Sequence, residues 1–177
     1  MGRVKPYPLV KFICAITIAD PSLWEKVQGS LQSLLSPFDL QTDWFPFDYT
    51  EYYTKEMGAS LKKRLVSFRT LLPAENLPTL KLATNEIEEE LSFEGKRKVN
   101  LDPGYLTASR LVLATTKDYA HRIYLGQGIL GDIHLRFHKG QFEPLEWTYP
   151  DYREPFVRQF LKDVREIYLN QLGEIEE

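Results

Sequence analysis

The segment from Lys98 to Thr107 places Asn100, Asp102 and Tyr105 around Pro103-Gly104. Proline presets its own backbone angle and glycine accepts positive φ at no steric cost, so Asp102-Pro103-Gly104 predicts a turn at which a strand opens into a loop. Asn100 and Asp102 are two residues apart and share a face wherever the chain is extended, so both polar ends reach one site if the strand persists through Leu101. Asp102 could bind a metal, act as a general base or hold a ligand hydroxyl; the ordinary alternative is a carboxylate bonded to nearby backbone N–H groups. Glu56 is the natural second carboxylate. The two together suit Mg²⁺ completed by water, or a split into acid and base. Asp151 competes for that role, or caps the helix that follows it.

Cationic and phenolic groups complete the set. Arg122 and Tyr124 fall on one face of an expected strand, where a guanidinium fork and a hydroxyl suit a carboxylate or a phosphate. His121 falls on the opposite face with Ile123 and Leu125, as a core-edge histidine or an acid/base group. Arg64, Tyr105 and Tyr149 are further candidates for a ligand. His134 and His138 stand roughly 13 Å apart on a strand, too far to share one ion, and read as a solvated face. No nucleophile, base and orienting group recur together, and Cys14 lies inside an apolar run, so a reaction is not specified.

Single-domain size is indicated by 177 residues. A net charge of −3 argues against a broad nucleic-acid footprint. The lone cysteine precludes an internal disulfide and suits a reducing cytoplasm. The apolar run near the N-terminus contains Lys11 and is expected to be a strand rather than a secretion signal. Nothing approaches the roughly twenty apolar residues of a membrane helix.

The elements that must position these groups follow from the hydrophobic pattern. Leu9 to Ala19 predicts a central strand buried on both sides. Asp20-Pro21-Ser22 opens a helix to about Leu35. Strands are expected over Asp39–Phe47 and Lys63–Leu72, separated by a polar, aromatic loop from Asp48 to Ser60. A second helix carries Leu80, Ala83, Ile87 and Leu91 inward, with Glu86, Glu88, Glu89 and Glu90 outside. Further strands are expected over Ser109–Thr116, His121–Leu125 and Gly131–Phe142, with a hairpin tip at His138-Lys139-Gly140-Gln141. Pro155 begins the last helix, with Phe156, Phe160, Val164, Ile167 and Leu172 inward. The result is one α+β domain. Its mixed or antiparallel sheet and about three helices start in a ferredoxin-like β-α-β-β-α order, extended by a β-meander and a C-terminal helix.

Four runs, Glu56-Met57-Gly58, Asn100 to Tyr105, His121 to Leu125 and Trp147 to Tyr152, resemble a prokaryotic family known as a domain of unknown function, number 4416. The resemblance covers nearly the whole chain and implies a compact single-domain protein with no catalytic residue to carry over. Some members bear the label GTP-binding protein. This chain has no G-x-x-x-x-G-K-[ST] loop to support that label. The site chemistry leaves two expectations. One is a polar cleft accepting an anionic, phosphate- or carboxylate-bearing ligand. The other is an interaction surface in which Tyr49, Tyr52, Tyr53, Tyr149 and Tyr152 meet a protein or stack RNA bases beside Lys96, Arg97 and Lys98.

Overall fold

A computed structural model describes residues 2–176. Among these residues nine strands form one sheet, antiparallel at every pairing. They are β1 (Val10–Ile18), β2 (Phe38–Gln41), β3 (Phe45–Pro46), β4 (Lys62–Leu72), β5 (Val99–Leu106), β6 (Arg110–Thr115), β7 (Arg122–Gly126), β8 (Ile129–His138) and β9 (Gln141–Pro144). The helices are α1 (Trp24–Leu34), the single turn α2 (Thr54–Met57), α3 (Leu77–Glu90) and α4 (Pro155–Glu176). The order β2-β4-β1-β5 is the ferredoxin-like arrangement, and β6-β8-β7 extends it. β3 continues the β2 edge along β4, and β9 shares the far edge of β8 with β7. The hairpin between β8 and β9 turns at Lys139-Gly140, both at positive φ, as the right-handed strand twist favours.

Both faces of the sheet are covered, which is why β1 is apolar on both sides. Phe12, Cys14 and Ile16 pack under α1 and α3 with Val27, Leu31 and Leu80, while Ile13 and Ala15 pack under α4 with Val157, Leu161 and Val164. Burial pushes the Cys14 thiol well above the usual range, so it stays protonated. Lys11, buried on the α4 side, is paired with Asp39 and hydrogen-bonded to Gln171 at 2.7 Å. A third, small core of Phe47, Met57 and Leu61, flanked by Ala19, Tyr49 and Tyr53, folds the segment between β3 and β4 onto itself. Gly58 (φ 92°) and Ser60 (φ 65°) turn that segment into β4.

Several elements differ from the sequence reading. Asp102-Pro103-Gly104 is no turn: β5 runs straight through it, paired with β1 from Val99 to Leu106. The expected strand over Asp39–Phe47 is broken into β2 and β3 around Thr42, whose Oγ1 accepts the Leu65 N–H. Glu88 is buried rather than on an acidic outer face. On α4, Val157 and Leu161 replace Phe156 and Ile167 in the core, and Phe156 packs edge-on against Phe45. No described helix is long and apolar enough to cross a membrane.

Candidate functional site

The sheet comes apart locally between β5 and β6. β6 pairs with β5 only at Gly104, Tyr105 and Leu106; its other edge stays paired with β8 from Arg110 to Thr115, so Ala114 and Thr115 have a strand on one side alone. The first half of β5 therefore has a flank without a strand. Leu101 turns its N–H and C=O to that flank, where Glu88 Oε1 accepts the first at 2.5 Å and Lys81 Nζ donates to the second at 2.8 Å. Pro103, two residues on, faces the same way and has no N–H to leave unpaired there. Gly104 marks the point of rejoining, since a Cβ there would lie 2.4 Å from the Val112 carbonyl oxygen and 2.7 Å from Leu113 Cδ2. Proline and glycine serve the split, and a turn reading of the same pair was bound to fail.

The split opens a hollow of about 310 Å³, lined by Lys81, Asn85, Glu88, Arg97, Asn100 and Asp102 on the β5 side and by Thr115, Thr116, Lys117, Asp132 and Tyr149 opposite. Tyr52 and Tyr53, carried by the segment before β4, also line it. A chain of charges runs along one wall. Arg97 grips Glu56 with two bonds of 2.7 Å, touches Glu88 at 3.2 Å and donates to Asn100 Oδ1 at 2.9 Å. Asn100 Nδ2 then donates to Asp102 Oδ2 at 2.8 Å, and Lys81 lies 3.8 Å from Asp102 Oδ1. Burial pushes the Glu88 carboxyl up, against the pull of Lys81 and the Leu101 N–H. Hydrogen bonds from Arg97 hold Glu56 below the usual carboxylate range.

Asp132 anchors the opposite wall. Arg122 Nε (3.2 Å), His121 Nε2 (3.3 Å) and His134 Nδ1 (3.3 Å) converge on its carboxylate. The backbone N–H of Tyr149 donates to His134 Nε2 at 3.0 Å, so that nitrogen is the bare one and Nδ1 carries the proton toward Asp132. His134 is fully buried because of a β-bulge. Leu111 and Val112 are neighbours, yet they pair with Leu135 and Ile133, leaving His134 as the extra residue and turning it to the same face as Leu135. Trp147 Nε1 and Thr148 Oγ1 bond the Ile133 and His134 carbonyls there, at 2.9 and 2.5 Å. The expected solvated histidine face holds only for His138.

Next to this hollow lies a second, of about 410 Å³, lined by Phe47, Tyr49, Thr50, Lys63, Pro150 and Asp151. It shares Tyr52, Tyr53, Asp102, Lys117 and Tyr149 with the first. Asp151 forms a buried ion pair with Lys63 at 2.6 Å, and so does not cap α4. Lys63 also sits over the Phe47 and Tyr152 rings. Burial pushes the Tyr53 and Tyr149 phenols up, keeping both as neutral donors.

Of the residues singled out by sequence, Asn100, Asp102, Tyr149 and Asp151 line these hollows. Glu56 reaches them through Arg97, and Arg122 and His121 through Asp132. Glu56 and Asp102 do not form a Mg²⁺ pair, since Arg97 and Asn100 stand between them. Among the described residues no three His, Cys, Asp or Glu side chains gather in a way that could hold a metal ion. Three residues lie elsewhere. Arg64 is sandwiched between Trp24 and Trp44; Tyr105 packs edge-on against Phe12 under the other face; Tyr124 is exposed on the edge strand β7, its hydroxyl accepting the Gly128 N–H. Edge position and burial separate them from Asp102 despite favourable spacing.

Sequence reasoning missed Lys81, Glu88, Lys117, Asp132 and His134. Lys81 and Glu88 had a legible signal: they fall at helical spacing with Leu77, Leu80 and Thr84 on the buried stripe of α3, where charge needs a partner. Of the five tyrosines expected to form an interaction surface, Tyr49, Tyr52, Tyr53 and Tyr149 line the hollows, Tyr52 and Tyr149 with exposed rings, and Tyr152 is buried. In comparisons with known proteins, residues 8–168 match the family described as domain of unknown function (DUF4416). No curated protein and no solved structure matches the chain.

Proposed function

The chain belongs to the DUF4416 family, and with the cleft as the guide to its activity we propose that it is a cytoplasmic binder of a small metabolite carrying a phosphate or carboxylate group. The observation that carries this reading is the charge distribution at the β5/β6 split. Lys63, Lys81, Arg97 and Arg122 are each matched by a carboxylate, whereas among the described residues Lys117 has none and is held only over the Tyr52 ring, 4.1 Å from its centroid. An ammonium with three donors at the mouth of a polar hollow suits an incoming anion, and Asp102 beside it accepts hydroxyl or amine donors from the same ligand. An RNA-binding surface is disfavoured because Arg97 is spent on Glu56 and Glu88.

A thermal-shift screen of phosphate- and carboxylate-bearing metabolites tests the proposal. At least one member is expected to raise Tm, and Lys117→Met, at an exposed position, is expected to weaken that ligand about tenfold or more without lowering the unliganded Tm. A panel without a hit, or a Lys117→Met protein that binds like the parent, overturns it.

A further inference from the structure

We propose that the ligand of this cleft joins a planar ring to a single anionic group, with the ring in the aromatic hollow, the anion at Lys117 and Asp102 holding the part between. The inference rests on the anion-binding reading above and adds the ligand's class.

Two features of the walls carry it. The first is their division of labour. The larger hollow is bounded by the rings of Phe47, Tyr49, Tyr53 and Tyr149, while the smaller is bounded by charged and hydroxyl groups. The two share Asp102, Lys117 and three tyrosines, so a single ligand can occupy both. Apolar faces of neutral phenols favour a flat ring over a bare sugar or a short acid, because the ring leaves water where the walls offer no hydrogen bond along their faces. Asp102 is only part-buried, with one oxygen on Asn100 and the other 3.8 Å from Lys81. It has acceptor capacity left for hydroxyl or N–H groups passing from one hollow to the other.

The second feature is the number of charges. Asp102, Glu88 and Asp132 face the polar hollow, each already balanced by Lys81, Arg97 or Arg122. Lys117 adds one positive charge, flanked by the hydroxyls of Thr115 and Thr116. That charge balances a carboxylate fully and offsets about half of a phosphate monoester's near −2 at pH 7, the flanking hydroxyls donating to the rest. A di- or triphosphate would set its further charges against three carboxylates with no cation to spare, and like charges in a part-buried site are strongly disfavoured.

Isothermal titration of the full chain with chosen probes tests the assignment. Adenosine and guanosine 5′-monophosphates represent a nucleotide, 4-hydroxyphenylacetate an aromatic acid, ribose 5-phosphate the anion without a ring, and adenosine 5′-triphosphate the excess of charge. At least one ring-bearing probe with a single anionic group is expected to bind tenfold or more tighter than ribose 5-phosphate, with the triphosphate no tighter than the monophosphate. Which of the two ring classes binds identifies the source. Tyr149→Leu should remove the tenfold advantage, Tyr149→Phe should keep it, and Lys117→Met should weaken ring-bearing probes and ribose 5-phosphate alike. Ribose 5-phosphate binding as well as the ring-bearing probes overturns the ring assignment while leaving the anion cleft standing. Tighter binding of the triphosphate overturns the single-anion count. Silence from every probe overturns the ring-and-anion assignment, while the cleft reading itself stands or falls with the broader thermal-shift screen.

Discussion

Asp132 shows how one side chain can fix a wall of the cleft. Burial alone would push its carboxyl up, but the hydrogen bond from His134, together with the hydrogen bond and charge of Arg122, outweighs that and holds it below its ordinary value of 3.8. A carboxyl depressed in the folded state contributes stability above its unfolded value and loses it as pH falls through the folded one. Asp132→Asn is therefore expected to cost about 2–4 kcal/mol near pH 7, because Arg122 is left in a buried setting without its partner. The gap to the parent should narrow on acidification below pH 3.8, as read from urea midpoints over a pH series. A gap that stays constant into that window would mean that shape, not charge, is what Asp132 supplies. Glu88 works with the opposite sign. Its carboxyl is raised by burial, so its contribution is fully present below 4.5 and declines as pH rises through the folded value. Two-residue periodicity puts His134 on the face of Asp132, but a strand-forming run gives no hint that a bulge will turn that face inward together with Leu135, so the burial of the pair was not visible in the sequence.

The β5/β6 split is the element on which the site depends. Its legibility was partial: the pairing of Asn100 with Asp102 followed from two-residue periodicity, while Pro103-Gly104 misled, since the same residue types serve a turn and an unpaired strand flank. Gly104 is where the two explanations part experimentally. If it exists for close approach, Gly104→Ala must drive β6 away from β5, costing about 2–3 kcal/mol and lowering Tm by roughly 5–10 °C. Gly29, on α1, is the contrasting case, because a methyl group at its Cα would meet nothing within 4 Å. Gly29→Ala should raise stability by about 0.5–1 kcal/mol through helix propensity alone. Thermal melts of the two variants decide the matter, and a neutral Gly104→Ala would remove close packing as the reason for glycine there.

At the scale of the whole molecule, the cleft lies on the seam between two topological parts, the ferredoxin-like β2-β4-β1-β5 and the added β6-β8-β7. The order of elements was readable because β1 is apolar on both sides and the helices carry clear stripes. The convergence at the seam was not, because Tyr52, Lys81, Asp102, Lys117 and Tyr149 come from five separate stretches whose meeting depends on tertiary pairing. The segment that roofs the cleft is anchored by Phe47, Met57 and Leu61, apart from the two large cores, and fastened by Glu56 to Arg97 in the connection that leads into β5. It can therefore detach as its own foldon, releasing a few side chains and one ion pair while every ladder of the sheet stays shut. Amide hydrogens in that roof should exchange with deuterium far sooner than those of β1, and the traffic of any occupant is then timed by a local breath of the fold, independent of global unfolding.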